Sequence, residues 1–254
     1  MKQVKLFFTK ELFANWRTKK IPILLIIAVA VGILSPFLAK IMPDIMASLL
    51  PAELSVSLPV PTSMDSWTQY YKNLPQFVLL AIALLAVGTI SNEVEQGTVL
   101  PFITKGLSRN AFVTSKALYL FFIWSVTLLS SFLINIGYTS YYFNDDKSTH
   151  LLLPLFAFWL YGIIFLAATI FSSSLAKSTG QSLLILAIFY LISTLSGILK
   201  KIDYYNPFIL GSNSLNWLTG KTEFHHYWPA VWIAVFLITL LLTMSLLIFR
   251  KRPL

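Results

Sequence analysis

The side chains of this 254-residue chain best suited to chemistry are few: two carboxylates one residue apart, Glu93 and Glu95, two adjacent histidines, His225 and His226, and a third histidine, His150. Glu93 and Glu95 could act as an acid–base pair, yet no nucleophile, metal-ligand set or glycine-rich phosphate cradle accompanies them. Helix-end stabilisation and ion pairs with Lys105 or Arg109 suit them better. His225 and His226 point to different faces of any helix and have no carboxylate at ligand spacing, so no metal site is expected there. His150 lies at the edge of an apolar run and is expected at a membrane interface. The chain has no cysteine, which removes disulfides, thiolate metal sites, iron–sulfur clusters and thiol nucleophiles together. It also lacks G-x-x-x-x-G-K-S/T, so it has no P-loop for ATP. No catalytic residue, bound cofactor or metal ligand is expected on this chain.

The elements that must position these residues are set by hydropathy. Hydrophobic residues make up 57% of the chain and charged residues 11%, against about a quarter charged in soluble domains. A bilayer-spanning helix needs about 20 mostly apolar residues, and six runs qualify: 21–39, 74–90, 117–139, 151–171, 181–199 and 229–249. None contains Asp, Glu, Lys, Arg or His, which disfavours proton relays and voltage sensors. The expected fold is all-α, a single transmembrane domain over 1–254. Cytoplasmic flanks are enriched in Lys and Arg. The segments 1–20, 91–116, 172–180 and 250–254 hold 13 basic residues against 6 on the other side, and seven of the ten acidic residues lie opposite them. Both termini are therefore expected in the cytoplasm, with the protein in the plasma membrane. The net charge of +9 forms no basic face with interleaved aromatics, so nucleic acid is not an expected partner. Span one lacks a cleavage site and is expected to be retained.

Residues 1–20 carry Val4, Phe8, Leu12 and Trp16 at intervals near four among six basic residues, the pattern of an amphipathic helix lying in the membrane interface. It serves either as an anchor or as a mechanical part. The loop 40–73 has four prolines and an apolar set, Ile45, Met46, Leu49 and Leu50, at helical spacing, which predicts a short interfacial helix and a turn-rich remainder. The loop 200–228 is too apolar for a free loop and too interrupted to span. It either dips back into the membrane against protein or, at Tyr227, Trp228 and Trp232, forms an aromatic belt.

Between spans two and three, Asn92 can cap a helical end with Glu95 in the capping-box position, and Gly97 breaks the chain. Thr98 can then cap a short helix in which Pro101 is harmless, because first-turn N–H groups have no intrahelical partner. Gly106 stops that helix and Ser108 can cap the next. The short helix would present Val99, Leu100, Phe102 and Ile103, too apolar to face water, to the membrane interface or to a partner protein. Inside the spans, Asn135, Ser193 and Thr194 are polar residues that either hydrogen-bond between helices or line a substrate path. Ala28 with Gly32, and Ser193 with Gly197, are small residues four apart, suited to close packing within the subunit or at a dimer seam.

The run Glu93-x-Glu95-x-Gly97-Thr98, followed by Ser108-Arg109 and Lys116, with Asn206-Pro207-Phe208 before the last span, resembles the permease subunits of ABC-2 type exporters over the whole chain. That resemblance implies that the short inner helix is a coupling helix docked on a separately encoded ATPase, which holds the ATP and magnesium. Glu93, Glu95, Gly97, Thr98, Val99, Leu100, Phe102, Ile103 and Arg109 form the implied coupling segment. It also implies re-entrant helices before the last span and a second permease, identical or related, beside this one. No large outer domain is present. The implied function is ATP-driven export of an amphipathic or hydrophobic cargo, an amphipathic peptide first. A secondary transporter and a membrane-embedded lipid-modifying enzyme are the alternatives.

Overall fold

Backbone N–H and C=O groups inside a bilayer find no water, so a spanning segment satisfies them within itself. In the computed structural model, which describes residues 2–49, 60–145, 151–197, 200–220 and 224–252, all regular structure is helical. The expectations for His150 and Leu50, and for the side chains of Leu49 and Leu215, lie outside the described residues. Helix α1 (Lys2–Arg17) turns into α2 (Lys20–Leu49) through Lys19, which adopts φ 64°. The second span is composite: α3 (Ser63–Asn73), a π-turn at Leu74–Leu79, α4 (Leu80–Ala86) and α5 (Ser91–Glu95). Next come α6 (Leu100–Thr104), α7 (Arg109–Tyr142), α8 (Leu152–Leu175) and α9 (Thr179–Ser196). Short turns at Lys200–Tyr205 and Phe224–Tyr227 flank α10 (Ile209–Ser212) and α11 (Ser214–Leu218), and α12 (Trp228–Lys251) ends the described chain.

Six helical stretches among the described residues are long and apolar enough to cross a membrane, matching the six expected spans with shifted ends. Span one runs ten residues further than expected because α2 continues through Pro36 and Pro43; Ile45 and Met46 belong to it, not to a separate interfacial helix. Packing of α3 along α2, with Asn73 Nδ2 donating to Ser35 Oγ at 3.0 Å, supports that extension. Span two starts eleven residues earlier than hydropathy suggested, since α3 is polar in composition yet buries Trp67, Tyr70 and Tyr71. Span three begins at Arg109, so Lys116, left outside the apolar run, is a buried residue of α7. The expectation that the spans bury no charge fails there.

Helix α8 is the core of the bundle, with Ala157, Phe158, Ile164, Leu166 and Ile170 fully buried and α7, α9, α10, α11 and α12 packed around it. Its last turn carries three consecutive serines that reach three neighbours. Ser172 Oγ meets Ser182 of α9 at 3.1 Å, Ser173 Oγ accepts from Ile90 N and Ser91 N at 2.9 Å each, and Ser174 meets Ser245 of α12. The described residues of the loop 200–228 form short helices whose Leu210, Trp217 and Leu218 are buried. Trp228 and Trp232 are exposed, while Tyr227 is buried.

Close approach explains two small residues. A Cβ on Gly32 would lie 2.7 Å from the Ser131 carbonyl of α7, so Ala28 and Gly32 pack inside the subunit. Gly197 would meet only the Thr194 carbonyl. A Cβ on Gly162 would fall 2.2 Å from the Trp124 ring, whose Nε1 donates to the Trp159 carbonyl at 3.0 Å. Gly162→Ala should therefore force α7 and α8 apart, costing roughly 1–3 kcal/mol. Gly137→Ala, with no atom near the new methyl, should be neutral or stabilising by up to about 1 kcal/mol. Thermal unfolding of both variants in detergent checks this; equal midpoints would contradict the packing.

Candidate functional site

The chain between α5 and α7 is shaped by two glycines in the left-handed region, Gly97 (φ 66°) and Gly106 (φ 94°), where a side chain would be strained. Thr98 does not cap α6. Its Oγ1 donates back to the Glu93 carbonyl at 3.1 Å, and Val99 N donates to the same oxygen at 3.3 Å, so both close the C-terminal end of α5. Asn92 is likewise no cap: it lies inside α5, where its Oδ1 accepts from Gln96 Nε2 at 3.1 Å. Ser108 caps α7 as expected, accepting from Ala111 N at 3.1 Å. Across this loop lies Gln3 of α1, donating to the Gly106 carbonyl at 2.9 Å and accepting from Ser108 N at 3.2 Å. Pinned at both ends, α6 has one rotational setting. That setting exposes Leu100 (41%) and Phe102 (37%), half-buries Ile103, and turns Val99 fully into the core, so Val99 is not part of the presented face.

Beneath α6 the structure assembles four charges into a closed ring. Lys116 Nζ lies 3.0 Å from Glu11 Oε1 and 2.8 Å from Glu93 Oε1. Lys10 Nζ lies 3.2 Å and 3.4 Å from the same two oxygens. Lys116 is 1% and Glu11 4% exposed, so neither charge has much water, and each is held by two opposite charges instead. Asn15 Nδ2 donates to Glu11 Oε2 at 3.4 Å, while Glu93 Oε2 has no partner among the described residues. Lys10 also stands over the Phe102 ring at 5.2 Å and the Phe7 ring at 5.5 Å, and Phe7 meets Phe102 edge-on at 5.1 Å. The ring thus ties α1, α5 and α7 together and touches α6 through Phe102.

Burial alone would raise the Glu11 carboxyl, but the Lys116 charge and then the Lys10 charge outweigh it and hold it below the ordinary carboxylate range. Burial would lower the Lys10 ammonium, but Glu93 and Glu11 outweigh it and raise it. The expected pairing of Glu93 and Glu95 with Lys105 or Arg109 does not occur, because α1 folds back over the loop and brings Lys10 nearer in space. Glu95 Oε2 instead accepts from Thr179 N at 3.4 Å, at the first turn of α9. Arg109 Nη1 donates to the carbonyls of Phe249, Arg250 and Arg252 at 3.3, 2.9 and 2.5 Å, satisfying the end of α12. Arg252 in turn donates to the Ser174 and Ala176 carbonyls at 3.0 and 2.8 Å, at the end of α8.

The polar residues singled out within the spans do not share one surface. Asn135 is fully buried, its Nδ2 donating to Thr139 Oγ1 at 3.5 Å, and Thr139 meets Ser66 of α3 at 2.7 Å. Ser193 is buried and Thr194 exposed, the latter donating to the Tyr190 carbonyl at 3.0 Å. Between the composite second span and α9 runs an apolar groove of about 540 Å³, walled by Leu79, Ala83, Leu84, Leu183, Ala187 and Leu191. Among the described residues no cluster of three or more His, Cys, Asp or Glu could hold a metal ion.

Sequence reasoning missed Lys10, Glu11 and Arg252 as members of this assembly, and treated Lys116 only as a flanking base. A signal existed for Glu11: with Val4, Phe8 and Asn15 it lies on one face of α1 at spacings of three and four, a lone carboxylate on the face that packs inward.

A family model described as ABC-2 family transporter protein matches residues 8–254. Among curated proteins, the chain is 26% identical over 191 residues to the uncharacterized transmembrane protein YxlG of Bacillus subtilis (strain 168), covering 72% of this chain and 71% of that protein.

Lys116→Met leaves the buried Glu11 and the partly buried Glu93 facing Lys10 alone and should cost about 3–5 kcal/mol, with part of the loss recovered when Glu11→Gln is added. A group whose carboxyl is depressed on folding adds stability above its unfolded value and loses it as pH falls through the folded one. Wild-type melting temperature in detergent should therefore drop as pH passes down through the carboxylate range, and Glu11→Gln should flatten that slope. Identical slopes would remove Glu11 from the ring's energetics.

Proposed function

The chain belongs to the ABC-2 transporter family, and from that premise we propose that it is the membrane subunit of an ATP-driven exporter whose partner ATPase grips α6. The observation carrying this reading is the pair Leu100 and Phe102, exposed on a five-residue helix too short to span and clamped at both ends. An apolar patch held rigid at the end of a bundle suits a helix-in-groove contact with a partner protein. Glu93, Glu95, Gly97, Thr98, Ile103 and Arg109 act from behind the contact: they set the angle of α6 at the end of α5 and tie its neighbours together, Glu95 joining α5 to α9 and Arg109 joining α7 to α12. Val99 contributes by packing beneath it.

In this reading both termini and α6 lie in the cytoplasm, the protein sits in the plasma membrane, and α1 lies at the membrane interface. ATP and magnesium belong to the ATPase, and this chain supplies no catalytic group. Closure of two ATPase subunits displaces α6. The displacement reaches α1 through Phe102 on Phe7 and through the Gln3 clamp, and reaches α5 and α7 through the four-charge ring. A second permease, identical or related, completes the pathway, with the apolar groove beside α9 as a surface for the cargo. The groove and the absence of charge along its named walls favour an amphipathic or hydrophobic cargo, an amphipathic peptide first. Asn135 and Ser193, by their burial, serve helix packing, while Thr194, exposed on α9, stays a candidate for the cargo path.

The Leu100 side chain takes no part in the aromatic and charged contacts beneath α6, which makes it a cleaner test residue than Phe102. Leu100→Asp would set an unpaired carboxylate in an apolar contact, a cost of a few kcal/mol, and should weaken copurification of the ATPase by tenfold or more while leaving the melting temperature near wild type. Undiminished copurification would place the docking surface elsewhere. Vesicles holding permease and ATPase should move an amphipathic peptide only with ATP, and continue when a proton gradient is collapsed. Movement that stops with the gradient and ignores the ATPase would restore the secondary transporter; lipid turnover without movement would restore the enzyme.

A further inference from the structure

At the end of the bundle remote from α6, two helical stripes face each other. Ala39, Met42, Pro43 and Met46 recur at i, i+3, i+4 and i+7 on α2, and Asp65, Thr68, Gln69 and Lys72 recur with the same spacing on α3. Such residues share one face of their helix. Together with Pro61 they wall a cleft of about 360 Å³, within the size of small-ligand sites. One wall is apolar and includes two exposed thioethers, Met42 at 42% and Met46 at 45%, side chains that adapt to varied shapes. The other offers a carboxylate, a hydroxyl, an amide and an ammonium.

Several of these polar groups are unspent. Asp65 uses Oδ2 to accept from Thr62 N at 2.8 Å and Thr62 Oγ1 at 3.0 Å, and its other oxygen has no hydrogen-bond partner among the described residues. Among the described residues, Gln69 and Lys72 have no hydrogen-bond or ion-pair partner. The cleft opens where charged residues resume, with Lys40 and Asp44 on α2 and Asp65 and Lys72 on α3. The apolar run 21–39 spans roughly 28 Å as a helix, close to the hydrocarbon thickness of about 30 Å, so residues 40–49 project beyond it. Asp65 to Lys72 likewise precede the apolar run of span two.

The two charges fix the length of what fits. Seven residues of helix separate Asp65 from Lys72 by about 10 Å along the axis, the reach of about three residues of extended peptide. The charges of a zwitterionic lipid headgroup, joined by a two-carbon linker, sit closer together than that.

We propose that the cleft between α2 and α3 binds an extended, amphipathic peptide segment, with a basic group at Asp65, an acidic group about three residues away at Lys72, and apolar side chains against Met42 and Met46. The site names where the peptide cargo of the proposed exporter is held at the end remote from the ATPase, and to that extent it rests on that reading. Binding itself needs neither ATPase nor ATP, so the two ideas fail separately.

The test uses the full chain in lipid nanodiscs without ATPase, and a fluorescent blocked peptide with one lysine and one glutamate three positions apart around two leucines. Saturable binding is expected, with affinity falling about tenfold or more in Lys72→Glu and recovering when the peptide's glutamate is replaced by lysine. That recovery is a readout a fold defect cannot give. No saturable binding to wild type, equal binding of both peptides to Lys72→Glu, or equal competition by phosphoethanolamine, which would make the site one for lipid headgroups, overturns the proposal. Binding that obeys this pattern alongside absent ATP-dependent transport would keep the cleft and discard the exporter reading.

Discussion

The buried ammonium of Lys116 is the constraint around which one end of this molecule is built. A charge with 1% exposure is tolerated only when opposite charges and hydrogen bonds replace its lost water. Glu93 alone would leave it half-compensated, and Glu11 completes the set only if α1 folds back across α7. The position of α1 is thus fixed by electrostatics as well as by the packing of Phe7 and Phe8. Once α1 is there, Gln3 reaches Gly106 and Ser108, and Lys10 reaches Phe102. The helix that exposes Leu100 and Phe102 is therefore not a loop that happens to be helical; its angle is set by contacts on three sides.

The same end of the bundle solves a second problem, the unpaired backbone groups of helices that stop near the membrane surface. Each helix end leaves up to four carbonyls or N–H groups without partners. Arg109 serves the carbonyls of α12, Arg252 those of α8, Ser173 the N–H groups entering α5, and Glu95 an N–H at the start of α9. These bonds connect different helices, so they do more than cap. Together with the charge ring they make the ends of α5, α7, α8, α9 and α12 mutually dependent, and a displacement of one carries a cost in the others.

Six spans were visible in the sequence because uncharged apolar runs of that length match the thickness of a bilayer. Their ends were not. α3 escaped hydropathy because Trp67, Tyr70 and Tyr71 bury aromatic bodies among Ser, Thr, Gln and Lys, and the extension of α2 escaped because Lys40 ends the apolar run and Pro43 reads as loop punctuation. Glycine signals were reliable: Gly97 and Gly106 mark positive φ, a property of the residue itself. Capping assignments at Asn92 and Thr98 failed for local reasons: α5 starts before Asn92, whose side chain bonds forward to Gln96, and Thr98 bonds back to the Glu93 carbonyl. The ring was unreadable for a simpler reason. Its members lie at positions 10, 11, 93 and 116, and no local pattern pairs residues so far apart.

Helix α2 joins the two ends. Its 30 residues span roughly 45 Å, from the turn at Lys19 beside the charge ring to Met42 and Met46 at the remote cleft. It is not uniformly stiff. At Gly32 its backbone lies directly on the Ser131 carbonyl of α7, which leaves little room to slide. Four residues on, Pro36 cannot donate to the Gly32 carbonyl, and Pro43 repeats the loss nearer the cleft. The helix is thus pinned at one point and weakened immediately beyond it. The segment past Pro36 forms the apolar wall of the cleft, so the two hydrogen bonds that the prolines remove are lost on that wall and not on the part packed against α7.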